Sequence, residues 1–89
     1  MLFMVIEHFN GGDPAPVYRR FAERGRMAPE RLDYLGSWVT AGGARCYQVM
    51  ESPDRALLEA WMAEWEDLVR FEVVDVITSA AAAASFGQP

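Results

Sequence analysis

The sequence predicts an α+β domain built on one four-stranded antiparallel sheet, and two observations carry that prediction. First, short strand-like apolar runs bracket each of two helix-like stretches, giving the order β-α-β-β-α-β. This is the ferredoxin-like split βαβ pattern, with strand order 4-1-3-2 and both helices on one face. Second, the strands carry apolar residues on both faces, whereas two helices can cover only one. We therefore expect a homodimer that pairs through the open sheet face.

The first half of the chain supplies a strand and a helix. Residues 2–9 are predicted to form the first strand, and residues 14–24 the first helix. Asp13 is a suitable cap for that helix, with a proline in its first position, and Gly25 provides the stop. The apolar residues of this helix lie on one side, so the helix is expected to pack on the sheet.

The second half repeats the arrangement with a strand pair in front. The predicted elements are strands at residues 32–40 and 45–51, a helix at residues 53–68 and a strand at residues 69–77. Gly42 and Gly43 fit a hairpin turn that requires positive φ. Ser52 is expected to cap the second helix, in which Leu57, Trp61 and Trp65 fall on one line and are predicted to pack in the core.

Length and composition indicate one globular domain. The chain has 89 residues, and we expect residues 1–79 to form the domain and residues 80–89 a short, alanine-rich tail. A hydrophobic content of 52%, with three tryptophans, argues against disorder. Cys46 is the single cysteine, no basic segment precedes the apolar start, and no run approaches the roughly 20 apolar residues of a membrane span. We therefore expect a cytoplasmic protein without membrane association.

Charge is divided between the two halves of the chain. The net charge is −5, yet arginines dominate residues 17–31 and acidic residues dominate residues 51–75. One interpretation is two solvated helix faces; the other is docking of a basic helix on a partner's acidic helix, or an anion site at Arg24, Arg26 and Arg31. Nucleic acid is disfavoured because the net charge is negative and no aromatic residues interleave a basic stripe.

Several chemistries lack the residues that they need. The chain has no lysine, which excludes a lysine Schiff base. With one His and one Cys per chain, a zinc site of the usual kind is not expected. Neither glycine pair has the spacing of a phosphate-binding or dinucleotide-binding loop. We therefore expect no metal and no cofactor.

The remaining polar candidates lie on the strands. Glu7 and His8 are adjacent on the first strand, so one must face the helices and the other the partner's sheet. His8 is either a hydrogen-bonded structural residue or a general base in a ligand pocket. The pocket candidates beside His8 suit a flat aromatic molecule and comprise Tyr34, Trp38, Tyr47, Met50 and Trp61. Cys46 is expected to be a small core residue.

The chain also resembles a known family in its segments MLFMVIEHF, YRRFAERGRMAPE, LGSWV, RCYQVME, LLEAWMAEWEDLV and FEVVDVITS. The family comprises small bacterial proteins of unknown function within the dimeric α+β-barrel superfamily. The resemblance implies the ferredoxin-like fold and a dimer with facing sheets, but no established activity. Its superfamily includes cofactor-independent monooxygenases, muconolactone isomerases, haem-handling proteins and ligand-sensing domains, so the fold leaves function open.

Two functions are compatible with the sequence. The first is a homodimeric binding or accessory module for a small apolar or aromatic molecule. The alternative is a cofactor-independent isomerase or monooxygenase-like enzyme that uses His8 as its acid/base. A deep cavity on the helix side that His8 can reach would favour the enzyme, and a filled core with His8 in the dimer seam would favour the binding module.

Overall fold

The ferredoxin-like fold is confirmed by a computed structural model, which describes residues 1–87. Its elements are β1 (Leu2–Phe9), α1 (Ala15–Arg24), β2 (Asp33–Val39), β3 (Arg45–Glu51), α2 (Arg55–Ala63), β4 (Val69–Val76) and α3 (Ser79–Phe86). The four strands form one sheet in the order β2-β3-β1-β4, with every neighbouring pair antiparallel. This is the predicted 4-1-3-2 order read from the other edge.

The core lies between one face of the sheet and the helices α1 and α2. Alternate residues of β1 are buried, beginning with Phe3 and Val5, because successive side chains of a strand point to opposite faces. Leu58 and Trp61 contribute from α2, and the Trp61 ring lies 5.8 Å from that of Phe71 on β4. The predicted core positions of Trp61 and Trp65 are therefore confirmed.

The helix ends show one confirmed prediction and one correction. Gly25 ends α1 with φ of 69°, and its amide donates to the Phe21 carbonyl at 2.7 Å. The predicted cap of the second helix, Ser52, is wrong. Asp54 holds that position, and its carboxylate accepts from the Leu57 amide at 2.9 Å. Ser52 is buried instead.

The second helix is also shorter than predicted, since α2 ends at Ala63 rather than at residue 68. Beyond it the chain tightens into turns in which an amide bonds to the carbonyl three residues earlier, as in Glu64 to Trp61 and Leu68 to Trp65. Trp65 is still buried, at 4% exposure. The helical spacing of the apolar residues therefore identified a core residue correctly but placed it in the wrong local structure.

Within residues 1–87, neither α1 nor α2 lies over the other face of the sheet. Trp38 and Val74 on this open face are 65% and 47% exposed. The alanine-rich segment predicted as a tail is helical over Ser79–Phe86, and none of its residues is buried. The last two residues of that predicted tail, Gln88 and Pro89, lie outside the described residues.

None of the helices within residues 1–87 has the length and apolar character required to cross a membrane.

Candidate functional site

A cavity of about 270 Å³ lies between α1 and the helix-covered face of the sheet. Its apolar walls come mainly from α1 and from the turn after α2, and its floor is formed by polar side chains of the strands. The lining residues are Glu7, Phe9, Val17, Tyr18, Phe21, Arg26, Ser37, Cys46, Gln48 and Trp65. An apolar enclosure with a few convergent polar groups is the usual form of a small-molecule site.

Glu7 is the buried acid of this cavity. It points from the central strand β1 towards the helices and is 6% exposed. Burial raises the pKa of its carboxyl from 4.5 to about 7, because the charged form loses its hydration. The positive charge of Arg26 and a hydrogen bond from Cys46 lower this pKa, but by less than burial raises it. The carboxyl is therefore poised to exchange its proton near neutral pH.

Cys46 lies directly opposite Glu7 in the β1–β3 ladder and is buried. Burial, reinforced by the nearby Glu7 carboxylate, raises the pKa of its thiol to about 11. The pKa of the Tyr18 hydroxyl is raised as well, first by burial and then by the negative charges at Cys46 and Glu7. Both groups are therefore neutral at physiological pH, and Cys46 has little of the thiolate character that a nucleophile requires.

Arg26 is held in place by the loop that follows α1. The residues on either side of it, Gly25 and Met27, have φ of 69° and 62°. Its carbonyl oxygen accepts hydrogen bonds from the indole nitrogens of both Trp61 and Trp65, at 2.9 and 3.1 Å. Because the two indoles are fixed in the core, the backbone of Arg26 is anchored from two sides.

The guanidinium of Arg26 is held by aromatic rings. It lies 3.6 Å from the centroid of the Tyr34 ring and 5.2 Å from that of Phe21, both distances typical of cation–π contacts. Within residues 1–87, no ion pair of 4.0 Å or less joins Glu7 to Arg26. The acid and the cation therefore line one cavity without forming an ion pair.

His8 lies on the open face, away from this cavity. Its Nε2 atom is 2.5 Å from Oε1 of Glu72, and its neighbours across the two ladders are Arg45 and Arg70. The alternation of β1 explains the separation, since a buried Glu7 requires the next residue to face the other way. The choice between Glu7 and His8 that the sequence left open is thereby decided.

The pocket candidates predicted around His8 are not brought together. His8, Trp38 and Tyr47 share the open face, whereas Tyr34, Met50 and Trp61 lie on the helix-covered side. Among residues 1–87, the lining of the cavity includes none of these six. Of the six, Tyr34 has the most direct link to the cavity, because its ring contacts the guanidinium of Arg26.

The predicted anion site is likewise divided. Arg26 lines the cavity, Arg31 lines a separate shallow depression beside Met1 and Ser52, and Arg24 is exposed at the end of α1. Within residues 1–87, no group of three or more His, Cys, Asp or Glu side chains is placed to hold a metal ion.

Several lining residues were not singled out from the sequence. Trp65 is predicted only as a core residue, and no motif assigns Tyr18, Phe21 or Gln48 to a site. The signal for Tyr18 and Phe21 is their place on the sheet-facing side of a short helix, next to a strand that carries a carboxylate. The signal for Gln48 is that it is one of the few polar residues on an otherwise apolar strand.

Comparison with known proteins gives a family and one structural relative. The family model described as "Domain of unknown function (DUF3303)" matches residues 1–88, which confirms the resemblance to a family of unknown function. A solved structure, "Crystal structure of antibiotic biosynthesis monooxygenase", is similar at 24% identity, covering 88% of this chain and 100% of that chain with a TM-score of 0.49. No curated protein matches the sequence.

Proposed function

The chain belongs to the DUF3303 family of unknown function, and we propose that it is a homodimeric module that binds a small, largely apolar molecule in the cavity beneath α1. The observation that carries the proposal is the composition of the cavity. Aromatic and aliphatic walls surround one buried carboxyl and one anchored guanidinium. At about 270 Å³, the cavity suits a flat molecule of one or two rings.

The dimer is supported by the open face of the sheet. Its central strand presents Leu2, Met4 and Ile6 on the side opposite α1 and α2, and Trp38 and Val74 extend the surface to either side. A contiguous exposed apolar patch of this kind is typical of an interaction surface. A second copy offers a matching apolar sheet, so we propose that two open faces pack together.

The alternative enzyme, an isomerase or monooxygenase-like protein that uses His8, draws no support from the cavity. His8 lies on the other face of the sheet and pairs with Glu72. In the proposed dimer His8 lies in or beside the seam, where its partner is already provided by its own chain.

Native mass spectrometry of the freshly purified protein, titrated with 2-naphthol, tests both parts of the proposal. We expect a dimer that binds one 2-naphthol per subunit. Ser37→Phe should block the cavity and abolish binding, whereas Ser85→Phe, the same change on exposed α3, should leave binding intact. Failure of the wild-type protein to bind, or equal binding by both variants, would contradict the proposed site. A folded monomer at micromolar concentration would contradict the dimer.

A further inference from the structure

We propose that the cavity is a proton-transfer site in which Glu7 takes a proton from the bound molecule and Arg26 holds the resulting oxyanion. The substrate class that fits is a small cyclic ketone with a hydrogen on the carbon next to its carbonyl group. This inference rests on the proposed binding function, because it assigns chemistry to the same cavity.

The placement of the two groups is the first argument. Glu7 and Arg26 line the same cavity, yet they are not joined as an ion pair. A purely structural buried carboxylate is normally paired, because an unpaired one is costly to bury. A ligand that lies between the two groups can contact the carboxylate with a C–H group and the guanidinium with its carbonyl oxygen.

The second argument is the anchoring of Arg26. Two indole hydrogen bonds fix its backbone, and the Tyr34 ring supports its side chain. A cation that stabilises charge developing in a reaction is most effective when it is fixed in advance, since little reorganisation is then needed.

The reaction balances without any co-reactant. The C–H bond next to the carbonyl breaks, its proton forms an O–H bond on Glu7, and the electron pair moves to the carbonyl oxygen to give an enolate. The O–H of Glu7 exchanges its proton with water, and Glu7 then gives a proton back to the same carbon or to another carbon of the conjugated system. No electron is gained or lost overall, and the charge within the cavity is the same before and after transfer, because negative charge moves from Glu7 to the oxygen beside Arg26.

Among the groups that surround the cavity floor, Glu7 is the one with a pKa raised to near neutrality. The charged and titratable groups around it are Arg26 from the loop after α1, Cys46 from β3 and Tyr18 from α1, and Tyr34 from β2 contacts Arg26. Cys46 and Tyr18 both have raised pKa values and are therefore neutral near pH 7. Phe71, opposite Glu7 on β4, and Trp65, from the turn after α2, do not titrate.

The test is hydrogen–deuterium exchange of 1-indanone in D₂O, followed by proton NMR at the carbon next to the carbonyl. We expect the wild-type protein to accelerate exchange over buffer. Because proton abstraction needs the carboxylate, the rate should rise with pH and level off above about 7, where Glu7 is ionised. A rate with no rise through this range would overturn the assignment of Glu7 without requiring any variant.

Variants sharpen the test. Glu7→Gln keeps the shape of the side chain and should lower the exchange rate by on the order of 10²- to 10⁴-fold while 2-naphthol still binds. Arg26→Met should lower it by on the order of 10²-fold. Glu66→Gln, the same change at an exposed position, should have no effect.

The outcomes separate this inference from the proposed function. Binding of 1-indanone without accelerated exchange, or exchange that persists in Glu7→Gln, overturns the inference and leaves the binding function standing. Binding of 2-naphthol but not of 1-indanone contradicts the substrate class named here. Binding of neither contradicts the binding function as well.

Discussion

Glu7 and His8 are neighbours in the chain, and the two faces of the sheet give them opposite surroundings. Glu7 is enclosed beneath α1, meets no ion-pair partner of 4.0 Å or less among residues 1–87 and has a raised pKa. His8 is half-buried on the open face and is already paired with Glu72 at 2.5 Å. Under the two proposals above, this central strand has a chemical role on its covered face and an assembly role on its open face.

The difference also shows why residue type alone misleads. Histidine is the side chain most often associated with proton transfer near neutral pH, because its ordinary pKa lies there. Here burial brings a glutamate into the same range, while the histidine lies where the chain has already given it a partner. Position on the strand, rather than residue type, identifies the candidate acid/base.

The largest effect is expected on the open face, from Ile6→Glu. Ile6 is central in β1 and lies opposite Tyr47 and Glu72. A new carboxylate in the proposed seam would be buried in each subunit and would lie directly opposite the acidic side chain of Glu72. Such a change costs several kcal/mol, so the dimer dissociation constant should rise by on the order of 10³-fold or more. Light scattering over a concentration series measures it.

The matched control for the open face is Ala60→Glu, which places the same charge at an exposed position of α2. It should leave the dimer unchanged. If Ile6→Glu also dimerised with wild-type affinity, the open face would not be the interface.

The next effect concerns the covered face, where Glu7 makes stability depend on pH. The folded pKa of about 7 exceeds the ordinary 4.5, so the folded state binds this proton more tightly than the unfolded state. Its contribution is therefore fully present below pH 4.5 and is lost as the pH rises to about 7, a difference on the order of 3 kcal/mol. Denaturant titrations at pH 5 and pH 8, at one fixed protein concentration, measure it.

Glu7→Gln isolates that contribution from those of the other carboxylates. Relative to the wild-type protein, the variant should gain stability between pH 5 and pH 8. A constant difference between the two proteins across this range would show that Glu7 is not buried as a shifted carboxyl.

A smaller effect is expected from His8→Ala. Because His8 lies on the open face, its removal should leave 2-naphthol binding in the cavity unchanged. The loss of its hydrogen bond to Glu72 should lower the free energy of unfolding of the dimer by about 1 kcal/mol. Thermal unfolding and the binding titration together check this. Loss of binding in a variant of unchanged stability would restore His8 as a pocket residue.

The sequence predicted most of the fold, because the signals for strands and helices are local. Apolar runs, two proline-marked helix starts and the Gly25 stop were sufficient to place all four strands and α1. The end of α2 was not predictable, since Trp65 keeps the helical spacing after the backbone has left the helix. What ends the helix is the tight turn that brings the Trp65 indole to the carbonyl of Arg26, a contact across 39 residues.

The site was predicted less well, for a related reason. The strand β1 carries apolar residues on both faces of the sheet, so their alternation does not indicate which face the helices cover. Leu2, Met4 and Ile6 point to one face, and Phe3, Val5 and Phe9 point to the other. Arg26 reaches the cavity because Gly25 and Met27 both adopt positive φ. Only glycine signals that conformation in a sequence, and Met27 does not.

The smallest effect should come from the ion pair that joins α1 to the turn after α2, and so helps to keep the covered face closed. Arg20 donates to both carboxylate oxygens of Asp67, each at 2.7 Å, and its guanidinium lies 5.7 Å from the Trp65 ring. This hydrogen bonding lowers the pKa of Asp67, so any stabilisation is present at neutral pH and lost as the pH falls through the carboxylate range. Because the pair is exposed, salt should screen it.

Asp67→Asn should therefore lower the melting temperature slightly at low ionic strength and hardly at all in about 1 M salt. Glu66→Asn, one residue earlier and exposed, is the control. A deficit for Asp67→Asn that persists undiminished at high salt would assign the role of Asp67 to packing or hydrogen bonding rather than to charge.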